Sequence, residues 1–351
     1  MADIVYLWFN SEKEKYSPDL IDQLNEYKNS LLPIAEKNKD KKGKNIPSTM
    51  VINHFTKSYP RPKVLIGADK LEYFVGETPN GKLRIYNLHD IHESITKSDE
   101  SHMFVSDWIM EVLKNSDVFI DVFLEYGVPS KDYRIKRRPS YFYSQGEMTR
   151  TIDNLEDCMI HKKDCPTPNS RVHGVDPRGR SDIIDHIKLI LYRNKGDKIT
   201  DSTINSIVEY LFRAMQSRLY LKQYKNAPDC IKEIDEVLKE RIKYKIDEMK
   251  KEYTINEIII NVNIIKAKIG IILMDAYLLG RLFRKFDIRP SDRGMPKNVQ
   301  NVIIYTGGDH SRFYSKMLYH CGFKLKYVKR SKIRMERKLD ISNIPYPLFR
   351  D

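Results

Sequence analysis

Apolar and polar positions change rhythm along the chain, and the rhythm predicts the elements. LEYFVGE (71–77) and KLRIYNL (82–88) are strand-like runs separated by a turn at Asn80–Gly81, which predicts a β-hairpin. The second strand leads directly into HDIHES. Residues 101–115 place Phe104, Trp108, Ile109 and Val112 on one helical face, and VFIDVFLE (118–125) is short and almost wholly apolar. Strand, helix and buried strand in succession are the grammar of a parallel sheet. RVHGVDPR (171–178) is a further strand candidate. Residues 181–287 read as about four helical segments, broken near 195–199, 226–229 and 252–254. The grammar resumes with NVIIYTGG (301–308), a helix over 311–320 and the strand KLKYVKR (324–330).

The expected fold is therefore α/β, with a mixed or largely parallel central sheet flanked by helices and a large helical insertion. Four regions follow: 1–50, an N-terminal strand and helix (18–35) with a basic loop; 51–180, the first α/β half; 181–290, the helical insertion; 291–351, the second half and a basic tail. The most apolar long stretch, 258–282, is interrupted by Asn261, Asn263, Lys266, Lys268, Asp275 and Arg281. A buried central helix running on to Phe286 fits it better than a membrane span. Asp275 and Arg281 then need partners, either on neighbouring helices or facing a site from below.

Composition changes this picture in three ways. At 41% hydrophobic and 11% aromatic residues, the chain can build an ordered core. Its formal charge of +13 favours weak contact with nucleic acid or another polyanion. The basic runs 134–138 and 329–338, beside Tyr141, Tyr143 and Tyr327, would carry that contact unless they are only solvated surface. Four scattered cysteines, Cys158, Cys165, Cys230 and Cys321, fit unpaired thiols in a reducing compartment. With no basic, apolar leader in MADIVYLWFN, the expected location is cytoplasmic. Cys158, His161, Cys165 and His173 have zinc-like types at a spacing unlike a standard finger.

Candidate chemistry sits at strand ends, where open α/β sheets bind ligands. His89, Asp90 and His92 follow one strand; Glu125 ends a second; Gly307, Gly308, Asp309 and His310 follow a third and open a helix. The three strands are expected to be neighbours. His92, Glu125 and His310 are the parts of a divalent metal site or of a water-activating acid–base pair. Asp90 and Asp309 would orient the imidazoles, and Arg178 would clamp an anionic group. The bland alternatives are a capping role for Asp309, a first-turn surface position for His310, a satisfied loop histidine at His89 and a loop at Arg178. No P-loop, Rossmann fingerprint, Gly-x-Ser-x-Gly or His-Glu-x-x-His is present, which argues against ATPase, dehydrogenase, ordinary serine hydrolase and zincin chemistry.

HDIH (89–92), FLE (123–125), GGDH (307–310) and CGF (321–323) together resemble the Tiki/TraB/ChaN/erythromycin-esterase superfamily. The departure is at His89, where that family usually has glycine. The closing segment, MDAYLLGRLFRKF and NVIIYTGGDHSRFYSKMLYHCGF, is also similar to proteins of giant DNA viruses of protists. The resemblance implies a His/Glu hydrolase-like site, with His92, Glu125 and His310 around a divalent metal, in a host cytoplasm or virion. Its members include metal-dependent peptidases, esterases and haem-binding proteins. The contrasting expectation is a non-catalytic basic binding protein, viral or contacting nucleic acid, on a degenerate enzyme fold.

Overall fold

A computed structural model describes residues 63–91, 102–127, 146–160, 165–167, 169–176, 181–193, 200–214, 229–260, 264, 268–286, 295–332, 336–345 and 348–349. All lie in the second of two compact units, Met1–Arg61 and Pro62–Asp351. The expected helix over 18–35, the basic run 134–138, His92 and Arg178 fall outside the described residues.

A short strand, β1 (Val64–Ile66), leads into the hairpin of β2 (Ala68–Thr78) and β3 (Gly81–Asp90). Thr78 pairs with Gly81, so Pro79 and Asn80 form the tip, and Gly81 adopts φ +105°, which a side chain would resist. Next come β4 (His102–Phe104), α1 (Val105–Asn115), β5 (Ile120–Gly127), α2 (Glu147–Ile160) and β6 (Ser170–Asp176). Among the described residues the helices that follow are α3 (Ser181–Arg193), α4 (Asp201–Ala214), α5 (Asp229–Glu252), α6 (Ile255–Ile260) and α7 (Gly270–Leu282). The chain returns through β7 (Asn301–Gly307), α8 (Gly308–His320), β8 (Lys324–Arg330) and β9 (Lys338–Asp340).

The main sheet has the order β6-β5-β7-β3-β2-β8. β6, β5, β7 and β3 are parallel, and β2 and β8 complete the sheet with antiparallel pairings. β7 is buried at all seven positions, as a strand covered on both faces should be. β8, reached from β7 through α8, runs in the same direction as β7 and β3 and is antiparallel only to β2, which the hairpin reverses; it lies at the sheet edge with alternate residues exposed. A smaller sheet, β4-β1-β9, is separate in its pairing, and its Leu65 and Leu339 share a hydrophobic cluster with Tyr86 and Leu88 of the main sheet.

Strand alternation divides the chemistry between the two faces. Tyr86, Leu88, Val122, Leu124, Ile303 and Tyr305 pack with α1 and α2. Phe74, Ile85, Phe123, Val302 and Ile304 share one hydrophobic cluster with residues of α3 to α8. The helices between β6 and β7 are thus a covering layer of the same core. Within the apolar stretch 258–282, residues 261–263 and 265–267 lie outside the described residues, and α7 is its longest described helix. α7 is buried around nearly its whole circumference, as its apolar sequence demands. Among the described residues no helix is long and apolar enough to cross a membrane.

The cysteines depart from expectation. Cys158 is bonded to Cys165, and Cys230 to Cys321, which excludes the zinc reading of the first pair and removes the premise for a reducing compartment. Spacing hid the second pair because the fold brings together positions 91 residues apart. That bond ties α5 to the end of α8. Replacing Cys230 and Cys321 by serine is expected to cost about 2–4 kcal/mol and to lower the melting temperature by several degrees. Thiol titration of the unreduced, denatured parent should find no reactive thiol. Four reactive thiols, or an unchanged melt in the double variant, would contradict the pairing.

Candidate functional site

β5, β7 and β3 are consecutive in the sheet, as expected from the three strand ends. The β5–β7 ladder runs to Leu124 and Tyr305. One residue further, the Glu125 carboxylate accepts the backbone N–H of Gly307 through Oε2 at 2.8 Å. The start of α8 is tied down from the same side. The Ser311 hydroxyl lies 3.0 Å from the Leu88 carbonyl and 2.8 Å from Thr306 Oγ1. Asn87 Nδ2 donates to the Ser311 carbonyl at 2.9 Å.

This fixes His310, in the first turn of α8, against α7 and β5. Its Nδ1 is 2.5 Å from Asp275 Oδ1, and its Nε2 is 3.8 Å from Glu125 Oε1. Asp275 Oδ2 accepts Arg241 Nη1 at 2.8 Å, and that guanidinium lies 4.0 Å from the centre of the Phe313 ring. The result is a chain of ionisable groups, Arg241–Asp275–His310–Glu125, contributed by α5, α7, α8 and β5. With Nδ1 engaged by Asp275, Nε2 is the ring nitrogen that faces Glu125. The Tyr314 ring packs beside His310, with centroids 6.4 Å apart. Burial, then the carboxylates of Asp275 and Glu125, hold the Tyr314 phenol protonated far above the neutral range.

Of the expected site residues, Glu125 and His310 come together, while His92 and Arg178 lie outside the described residues. Asp309 does not orient His310. Its side chain is 87% exposed and pairs with Arg312, and no side chain caps α8. Asp275 takes the orienting role, because only a residue from the buried α7 reaches the inward ring nitrogen. Asp90 is on the opposite face of the sheet, one residue out of phase with His89, and accepts the Tyr305 hydroxyl at 2.9 Å. His310 is no surface residue: at 6% exposure it is part of the buried network. Arg241 and Tyr314 were not among the sequence candidates. Asp275 was visible there only as a charge on the most apolar helix in need of a partner.

Two more histidine–carboxylate pairs line the same face. His173 Nε2 donates to Asp121 at 2.9 Å, and its Nδ1 accepts Arg281 Nη2 at 3.0 Å. Arg171 grips both Asp121 oxygens, at 2.6 and 3.1 Å. His173 is stacked on Phe123 and Phe286, and burial followed by the Arg281 cation lowers its pKa to about 4. A ring bonded at both nitrogens and sealed by aromatics is a structural element. His89 is a buried strand residue whose Nε2 donates to Glu72 at 2.9 Å. Burial opposes charge on Glu72, but hydrogen bonds from His89, Lys70 and Ser315 prevail and hold its pKa at about 2.

Protein-family models, curated proteins and solved structures gave no match to this chain. Among the described residues no group of three His, Cys, Asp or Glu side chains is placed to hold a metal ion. Glu125 and His310 could supply two donors, and a third would have to come from elsewhere.

Proposed function

We propose that the chain is a hydrolase of the His/Glu type, with its site at the carboxyl edge of the sheet around His310 and Glu125. The observation that carries this reading is the Asp275–His310 hydrogen bond, which turns Nε2 toward Glu125 across 3.8 Å. His310 acts as general base: Nε2 takes a proton from water as the water oxygen attacks a carbonyl carbon, and later returns it to the leaving group. Asp275 holds the ring in the Nδ1–H tautomer. Glu125, anchored on the Gly307 N–H, orients the water. The resemblance to the Tiki/TraB/ChaN/erythromycin-esterase superfamily supports the same reading and points to esters or peptides. Were a divalent metal bound instead, Glu125 and His310 Nε2 would be ligands with His92 as third donor, and the metal would supply the water activation in place of the imidazole.

His310→Gln is expected to lower turnover of any ester or peptide substrate found by screening by at least about a hundredfold. Because His310 is buried against Asp275, the same change will also lower stability, so circular dichroism at low temperature must show that the variant is folded. Undiminished turnover in the folded variant would remove His310 from the chemistry.

A further inference from the structure

α8 has two working flanks. His310 and Tyr314 face α7 and β5, whereas Arg312, Lys316 and Tyr319 face the other way, over β2 and β8. On that second flank a cleft of about 710 Å³ opens between α8 and the antiparallel edge of the sheet. This is the size range of small-ligand sites, roughly 300–1,000 Å³.

The cleft is built in three zones. Its floor is a buried polar group: Glu72, His89 and Ser315, with the Ser315 hydroxyl donating to the Glu72 carboxylate and accepting from Asn87 Nδ2 at 3.0 Å. Its walls are cationic. Lys70, Arg312, Lys316, Lys329 and Arg330 line it against two carboxylates, Asp69 and Glu72. Lys70 and His89 already serve Glu72, and Arg312 pairs with Asp309. Lys329, next to Arg330 on β8, points to the other sheet face, where its charge acts on Asp340, so the positive surplus in the cleft rests on Lys316 and Arg330. The third zone is apolar: Leu325, Val328 and Tyr319, with Val328 at 42% and Tyr319 at 50% exposure. An exposed aromatic ring beside a cationic wall suits a ligand with a flat ring next to an anion.

We infer that this cleft binds a mononucleotide, with its phosphate against Lys316 and Arg330 and its base against Tyr319. The sequence run 329–338 was noted for polyanion contact as an exposed tail. Its first two residues instead belong to the edge strand β8, and Arg330 is part of one wall of the cleft. This inference uses neither His310 nor Glu125 and does not depend on the hydrolase reading.

The test is calorimetric titration of the full chain with AMP, adenosine, inorganic phosphate and a twelve-residue oligothymidylate, at low and high ionic strength. AMP is expected to bind more tightly than adenosine or phosphate, and to weaken as salt rises. Lys316→Glu with Arg330→Glu, both at exposed positions, should weaken AMP at least about tenfold by reversing the phosphate contacts, with an unchanged melt. Tyr319→Ala should weaken AMP but leave phosphate affinity as it was. Absence of AMP binding at low ionic strength, or AMP affinity indifferent to the double reversal, would overturn the site. Binding of the oligonucleotide without binding of AMP would overturn the mononucleotide assignment in favour of a strand-binding surface.

Discussion

Asp275→Ala is expected to destabilise the protein by about 3 kcal/mol and to abolish turnover, because it removes the centre of a buried charge chain. Asp275 is completely buried and accepts from both His310 and Arg241. Without it, the imidazole loses the partner that fixes its tautomer and the guanidinium loses its carboxylate. Arg241 is 31% exposed, so part of its charge can return to water, which keeps the estimate at the lower end for a broken buried pair. Asp275→Asn separates the two roles. It keeps volume and hydrogen-bonding capacity but not charge, and allows the ring to settle in the wrong tautomer. Comparable acid-to-amide changes beside a catalytic histidine lower kcat by roughly 10⁴. Thermal melts of both variants and of Arg241→Ala, combined in a double-mutant cycle, would give the coupling. A coupling near zero, with turnover retained in Asp275→Asn, would reduce the chain to surface ion pairing and end its claim to positioning His310.

The strands around this site were legible because buried parallel strands announce themselves as short apolar runs. VFIDVFLE and NVIIYTGG are such runs, but their order in the sheet was not legible: β7 inserts between β3 and β5 although those two are consecutive main-sheet strands through α1. Face assignment was not legible at the same level. His89 and Asp90 are adjacent in sequence, yet the pleat sends one to the helical layer with Glu72 and the other to Tyr305 on the far side. Glu72 drew no attention because a single acid in an amphipathic hairpin reads as the solvent face. It is buried because β2 lies inside the sheet, with β8 beyond it. Sequence likewise could not choose between Asp309 and Asp275 as the partner of His310. Proximity favoured the first, but the first turn of a helix points its residues in different directions, and only the packing of α7 under α8 decides which carboxylate meets the ring.

Acid should unfold this protein in two steps, and the responsible groups lie on one sheet face. In the unfolded chain His173 takes up a proton as pH falls through its ordinary value of 6.5; in the fold it resists until about 4. The native state therefore binds fewer protons across that interval. Stability present at neutral pH is lost progressively between pH 6.5 and 4, by about 3 kcal/mol. Glu72 continues the loss below its ordinary value of 4.5, because its folded carboxylate stays ionised down to about 2. The sign is the same: a depressed folded pKa gives stability that is full above 4.5 and gone once the folded group protonates. This interval is again worth about 3 kcal/mol. His89, lowered chiefly by burial, adds to the first step, and Asp121, held low by His173 and Arg171 against its burial, adds to the second. Urea unfolding measured at half-unit steps from pH 7.5 to 3 should show stability falling before any ordinary carboxylate titrates. His173→Gln, which can still donate to Asp121 but cannot take up the proton, should flatten the profile between pH 6.5 and 4.5 and leave the lower step in place. If the parent is already flat there, His173 is not held neutral by Arg281 and burial. If the slope persists in His173→Gln, it belongs to His89 or to another histidine, and the His173 cluster contributes packing alone.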